Sequence, residues 1–355
     1  MLKKLFTAGS MILGLVLFVF VIGQFGGFAR SFEKVQDFGW LGMALYLSAS
    51  SLTLVAPGIA WTILMRGDGL KVPLWTALKA NFMGFPINFI APTMYLGSEP
   101  LKMIYVSRLH GVPNRSVLAT IVVAKFQEVG AHLMMMLVAV GISVTRIEFT
   151  RKDTLLIAVS MLVLLSVFGL ALWGFVGNHQ PSVKLINVLA LFRRRSRKLA
   201  RLRARAREME VIIHASFTRR WRTFLIAQAV TLVSAAGVLY RPLIFFYFAR
   251  DGQLISTEQL CAIFLVTNVI NSLPHTPGGL GVFEGGMMGI FDLLGLGKEN
   301  AGAFAIVTRA CDLILILLGS WLIVHLGLQS VVRRVAEGKE QIDGGDADGA
   351  TPPAP

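Results

Sequence analysis

The chain has 355 residues, of which 55% are hydrophobic and 15% charged, with a net charge of +14; soluble domains usually carry roughly 25% charged residues. No Asp, Glu, Lys or Arg occurs from Leu5 to Ala29, Phe38 to Met65, Ala80 to Ser98, Val129 to Thr145, Thr154 to Val183, Gln259 to Phe283 or Leu313 to Val332. A helix of about 20 mainly apolar residues crosses a bilayer core, so the chain reads as a polytopic membrane protein, which excludes a soluble enzyme, a secreted scaffold or a cytosolic nucleic-acid binder.

In chain order, Lys3 and Lys4 precede an apolar run at 5–27. The run is long for a signal core and no clear small-x-small cleavage site follows, so it reads as an uncleaved first span. Further apolar candidates are 39–65, 74–96, 117–145, 154–177, 223–248, 259–290 and 301–328. Cys261 and Cys311 lie inside apolar segments and form neither a disulfide framework nor a zinc spacing. The composition calls for no metal and no cofactor.

Nine Lys or Arg residues stand between Arg193 and Arg207, led by Arg193, Arg194, Arg195, Arg197, Lys198 and Arg201. No aromatic residues interleave them as nucleic-acid stacking would require. Leu199, Leu202, Ala206, Met209 and Ile213 mark one apolar stripe on a basic helix. Such a segment (184–222) suits either a helix on an anionic leaflet or a solvated positive-inside loop.

If all eight candidates crossed once from a cytoplasmic N-terminus, this arginine block would fall outside, against the positive-inside rule. The conflict is removed if 74–110 and 259–297 enter and leave on one side as re-entrant hairpins. Local chemistry supports both. Pro86, Asn88, Pro92, Gly97 and Pro100 break the first stretch, and Asn271, Pro274, Pro277, Gly278, Gly279 and Gly281 break the second. Backbone freed at membrane depth survives where protein or a wet cavity covers it. The expected fold is therefore an all-α inverted-repeat, transporter-like bundle of about six spanning helices and two re-entrant hairpins. It forms one membrane domain over 1–337, with both termini cytoplasmic and a disordered tail at 338–355.

The two broken regions share a pattern, within a first repeat region at 74–145 and a second at 259–328. Pro92 lies seven residues before Glu99, and Pro277 seven before Glu284. Lys125 and Glu128 follow the first glutamate; Arg309 and Asp312 follow the second, with one residue of slippage. Each base–acid pair at i, i+3 projects from one helix face. Ionisable side chains are costly at the bilayer centre and usually face a bundle interior or a pathway. A structural lock explains either pair alone, but packing has no need of the same spacing twice. Glu99, Lys125, Glu128, Glu284, Arg309 and Asp312 are thus the candidate path residues. His275, at the second hairpin tip, is a candidate titrating group. His132 and His325 are expected to pack, and Arg241, beside Pro242, to reach the outer interface.

NSLPHTPGGLGVFEGGMMGIF (Asn271 to Phe291), with PTMYLGSEPLKMIYVSRLHGVP and AIVTRACDLILI, resembles the recurrent blocks of the lysylphosphatidylglycerol synthase transmembrane, or flippase-like, family. Tyr95-Leu96-Gly97-Ser98-Glu99 stands where that family more often has a double glycine before Glu. The resemblance implies an integral membrane translocase of phospholipids or isoprenoid-linked lipids, without the soluble synthase domain of the bifunctional relatives. Its partners would be anionic or head-group-modified lipids and not nucleic acid; a homo-oligomer is compatible with it. Two alternatives stay open, an ion-coupled small-solute transporter of the same architecture and a lipid-binding regulatory protein that transports nothing.

Overall fold

The computed structural model describes residues 28–90, 97–146, 151–189, 197–249, 255–272 and 276–326. The expected first span, the tail, Pro92, His275, Arg193, Arg194 and Arg195 lie outside these residues. The described chain is helical throughout: α1 (Phe28–Gly67), α2 (Leu74–Ile90), α3 (Glu99–His110), α4 (Asn114–Arg146), α5 (Arg151–Val176), α6 (Pro181–Leu189), α7 (Arg197–Thr218), α8 (Trp221–Phe248), α9 (Thr257–Ser272), α10 (Val282–Leu293) and α11 (Lys298–His325).

Five of these helices, α1, α4, α5, α8 and α11, contain stretches long and apolar enough to cross a bilayer. The outward face of α5 shows why lipid is the solvent: Leu155, Leu162, Val167 and Leu170 are each about two-thirds exposed. Water would penalise such a surface, at roughly 25 cal/mol for each Å² of apolar area. This is a multi-pass membrane protein.

Between the long helices stand two pairs of shorter ones, α2 with α3 and α9 with α10, at the positions where the sequence is broken by proline and glycine. In the second pair the break includes a 3-10 turn, Pro277–Gly279. The contacts between helices largely repeat across the two halves. α2 packs on α3 as α9 packs on α10; α3 meets α4 as α10 meets α11; α1 meets α2 and α11 as α8 meets α9 and α4. The long helix of each half also packs on the short pair of the other, α11 on α2 and α4 on α9. α1 and α8 share the most extensive interface, along which Gly237 faces the backbone of Ala49 so closely that a Cβ would stand 2.7 Å from its carbonyl oxygen. Gly319 of α11 makes the equivalent approach to α2, with a Cβ falling 2.2 Å from the Phe82 oxygen. Small residues at such crossings let helices approach without a hydrophobic driving force.

The basic segment includes α7, and the described part of its apolar stripe, Ala206, Met209 and Ile213, is spent on the protein itself. Ile213 and Ala206 are buried and Met209 packs in the same cluster as Val117, Ile121 and Phe224. Glu210 of α7 is buried and accepts the Ser182 N–H of α6 at 2.6 Å, while exposed Glu208 pairs with Arg115 at 2.8 Å. Arg197, Lys198 and Arg201 fall in the first turns of α7.

Candidate functional site

The second half builds its charges around the α10 N-terminus. Glu284 is the third residue of that helix, and its side chain reaches back to accept the Gly281 N–H at 2.6 Å, closing half of a capping box. Its other oxygen receives Arg309 Nε at 2.7 Å. The rest of the Arg309 fork is taken by backbone: one terminal nitrogen donates to the Gly278 carbonyl at 2.7 Å and the other to the Gly279 carbonyl at 3.2 Å. A planar guanidinium can satisfy carboxylate and carbonyls together, which an ammonium cannot. Asp312, one turn along α11, stands 3.6 Å from the same guanidinium. Arg309 also lies over the rings of Phe283 and Phe89, at 5.1 and 6.0 Å. Glu284 is wholly buried and fully bonded.

The first half uses the same residue classes in a looser arrangement. Lys125 donates to Glu128 at 2.6 Å and lies 4.0 Å from Glu99. Glu99 is the first residue of α3, where Glu284 is the third of α10, so it stands too early to cap its own helix. Asn88 of α2 supplies the acceptor instead: its Oδ1 takes the Gly97 N–H at 3.1 Å and the Ser98 N–H at 2.8 Å. Among the described residues neither buried oxygen of Glu99 has a hydrogen-bond partner, and the Ser98 hydroxyl has none.

Lys102 is not singled out by the sequence, and Arg241 reads there only as an interface group. Lys102, buried at 7% exposure, lies one turn beyond Glu99 and feels the charges of Glu99, Lys125 and Glu128. The i, i+3 spacing in Glu-Pro-Leu-Lys carried that signal. Arg241 corrects an expectation: rather than extending to the interface, its Nε is buried, and its charge acts on Asp312, Tyr46 and His132. Asp312 is the acid whose field reaches it, and opposite charges attract more strongly in apolar surroundings than in water.

These contacts join the two halves. Glu99, Lys125 and Glu128 lead to His132, one turn along α4, which hydrogen-bonds Asn268 of α9 and stacks on Phe264. His132 lies within the field of Arg241, and the sequence continues through Asp312 and Arg309 to Glu284. The result is a string of largely half-buried charges in two clusters, one in each half, linked through the fields of His132 and Arg241 and not by direct contact. Each half holds two acids and two bases, Glu99 and Glu128 with Lys102 and Lys125, and Glu284 and Asp312 with Arg309 and Arg241. The tips of the short pairs also touch, because the Phe89 ring occupies the space over Gly278. Both Tyr46 and Thr308 border the string and share a 2.6 Å hydrogen bond. Among the described residues no three His, Cys, Asp or Glu side chains cluster as metal ligands do. Cys261 and Cys311 are free and buried.

Comparison with known proteins matches residues 6–319 to the profile described as lysylphosphatidylglycerol synthase TM region. Similar proteins include two from Methanothermobacter thermautotrophicus, each named UPF0104 membrane protein. One is 19% identical over 90% of this chain and 92% of its own length, the other 24% identical over 85% and 88%. A UPF0104 membrane protein of Methanocaldococcus jannaschii is 21% identical over 72% of this chain and 75% of its own. No solved structure matches the chain.

Proposed function

The chain belongs to the lysylphosphatidylglycerol synthase TM region family, and from that premise we propose that it moves a lipid with a polar or charged head group between the leaflets of the cytoplasmic membrane. The observation that carries this reading is the pair of enclosed charge clusters, one beside each broken helix pair, that together form the string. Stability gives little reason for it. Buried ion pairs roughly break even against apolar packing, and ionisable side chains at membrane depth generally serve a pathway.

In this reading α2–α3 and α9–α10 are re-entrant hairpins that enter from opposite sides, the first from the cytoplasm. The doubled packing scheme supports a repeat, and the positive-inside distribution supports its inversion, with the termini and α7 cytoplasmic. Inverted repeats with discontinuous helices bring half-helix ends to the midplane, where they face the transported head group. The acyl chains would stay in the bilayer while the head group passes along the string. The protein acts as a transporter, not as a synthase.

Reconstitution into liposomes containing a head-group-compatible fluorescent phospholipid tests the reading directly. Wild type is expected to expose inner-leaflet lipid to a membrane-impermeant quencher, and Glu99→Gln or Lys125→Met to slow that exposure severalfold. Equal rates in empty and protein-containing vesicles would move the assignment to a solute transporter or a non-transporting lipid binder. Cysteine labelling tests the inversion: a thiol at Phe149 should react from outside and one at Ser196 from inside.

A further inference from the structure

The two halves carry matching charges but use them differently. In the second, the groups at the hairpin tip are consumed: Glu284 by its own helix cap and by Arg309, Arg309 by two carbonyls and two carboxylates. In the first, the capping duty passes to Asn88, and the groups around the α3 N-terminus are left over. Among the described residues, Ser98 is wholly buried with an unbonded hydroxyl and Glu99 has two buried oxygens without a hydrogen-bond donor, while Lys102, itself buried, stands one turn along the same helix. Unpaired buried polar groups are costly, more so when charged, so three such atoms in one place imply a partner.

They also converge. A Cβ placed on Gly84 of α2 would stand 2.7 Å from Lys102 Cε and 2.8 Å from Ser98 Oγ. The lysine stem and the hydroxyl therefore crowd the same point over a glycine that leaves them room. Both lie at the positive end of the α3 dipole, a 12-residue helix, where anions are favoured. Glu99, at the first position of that helix, accepts no hydrogen bond among the described residues and has Lys125 only at 4.0 Å.

We propose that this first-half pocket is the head-group site: Lys102 and Ser98, at the α3 N-terminus, take a phosphodiester, and Glu99 takes an ammonium carried by the same head group. The charge balance selects the class. Glu99 and Glu128 offset Lys102 and Lys125, so a zwitterionic head group enters without leaving net charge in apolar surroundings, whereas an anionic or cationic one would. The second-half pair is then a latch that holds the hairpin tip, not a ligand contact. This assignment rests on the lipid-translocase reading and names the substrate class for it.

The test measures retention rather than transport. The full-length protein is placed in nanodiscs of mixed phosphatidylethanolamine, phosphatidylglycerol and diacylglycerol, and retained lipid is read by native mass spectrometry. Phosphatidylethanolamine should be enriched over both others in wild type. Lys102→Met should lower that enrichment about tenfold, as loss of a charge-assisted hydrogen bond does, and Lys102→Arg should restore most of it. Glu99→Gln should abolish the preference over phosphatidylglycerol while retaining lipid. Arg115→Ala, at the exposed pair with Glu208, serves as a folded control.

No preference in wild type, or a preference that survives both Lys102→Met and Glu99→Gln in protein that elutes as the folded species, overturns the site. Displacement by soluble glycerophosphoethanolamine overturns its assignment to a lipid. The outcomes also separate the two readings. Leaflet exchange without selective retention refutes the head-group site and spares the translocase; selective retention without exchange does the reverse.

Discussion

Phe89, near the end of α2, lies 6.0 Å from the Arg309 guanidinium of α11, and its ring fills the space where a side chain at position 278 would stand. One aromatic residue from the first half thus covers both the turn and the cation of the second. A cation held over a ring gains about 0.5–2 kcal/mol, more when water is excluded.

That relationship makes Gly278 sensitive in two ways. Its φ of 66° lies in the left-handed region, which costs a side-chain-bearing residue roughly 1–2 kcal/mol. An added Cβ would also meet the Phe89 ring at 2.3 Å. Gly278→Ala is expected to lower the thermal midpoint in detergent, and Phe89→Leu in the same chain to recover the steric part of the loss. Equal midpoints for Gly278→Ala with and without Phe89→Leu would show that the ring does not press on this turn.

Arg309 and Glu284 predict an order of damage. Arg309→Ala leaves a wholly buried carboxylate and two turn carbonyls without their donor, and breaking a buried pair from one side costs about 3–5 kcal/mol. Arg309→Lys keeps the charge but not the fork, so it should recover less than half of that. Glu284→Gln keeps an acceptor for the Gly281 N–H and should be the mildest of the three. Urea or thermal unfolding of the three variants in one detergent checks the ranking.

Much of this was legible because hydropathy and spacing are strong signals in a membrane chain. The long helices fall where the apolar candidates lie: α8 runs Trp221–Phe248 against an expected 223–248, and α4 runs Asn114–Arg146 against 117–145. The pairing of Lys125 with Glu128, and of Arg309 with Glu284 and Asp312, follows from i, i+3 spacing and the repeat. What the pattern could not carry was side-chain destination across helices. Arg241 is isolated in sequence, so the acid whose field it shares, Asp312, is visible only in the folded chain. The stripe on α7 was equally ambiguous, since a leaflet and a protein surface ask for the same apolar face; Ile213 and Met209 chose the protein. The two glutamates align by sequence, yet they occupy different helix positions, and Asn88 accounts for the difference.

Asp68, just beyond the apolar stretch of α1, gives a pH dependence. It receives Arg220 and Ser216 on Oδ1, while Oδ2 is buried without a partner among the described residues. Burial raises its pKa above the ordinary 3.8, outweighing the pull of Arg220. The folded state thus binds this proton more tightly than the unfolded one, and the stability it contributes is present at low pH and lost as pH rises through the raised value. Asp68→Asn cannot titrate. Its thermal midpoint relative to wild type should climb between about pH 4 and neutrality and then level off. A difference that stays flat, or falls, across that range would mean that the Arg220 pair governs the site.

Asn88 and Ser98 separate a structural role from a ligand role at adjacent points. The Asn88 amide oxygen satisfies two backbone N–H groups at the start of α3. Asn88→Ala strands both in a buried turn, at about 1–3 kcal/mol for each unsatisfied group, and should destabilise the protein clearly. Ser98→Ala removes a hydroxyl that bonds nothing among the described residues, so stability should hold or rise slightly, because an orphaned polar atom is taken out of a buried site. Thermal unfolding of the two variants, without added lipid, should therefore show opposite signs. A large loss for Ser98→Ala would mean that its hydroxyl already has a partner in the folded chain, and that the α3 N-terminus is held by more than Asn88.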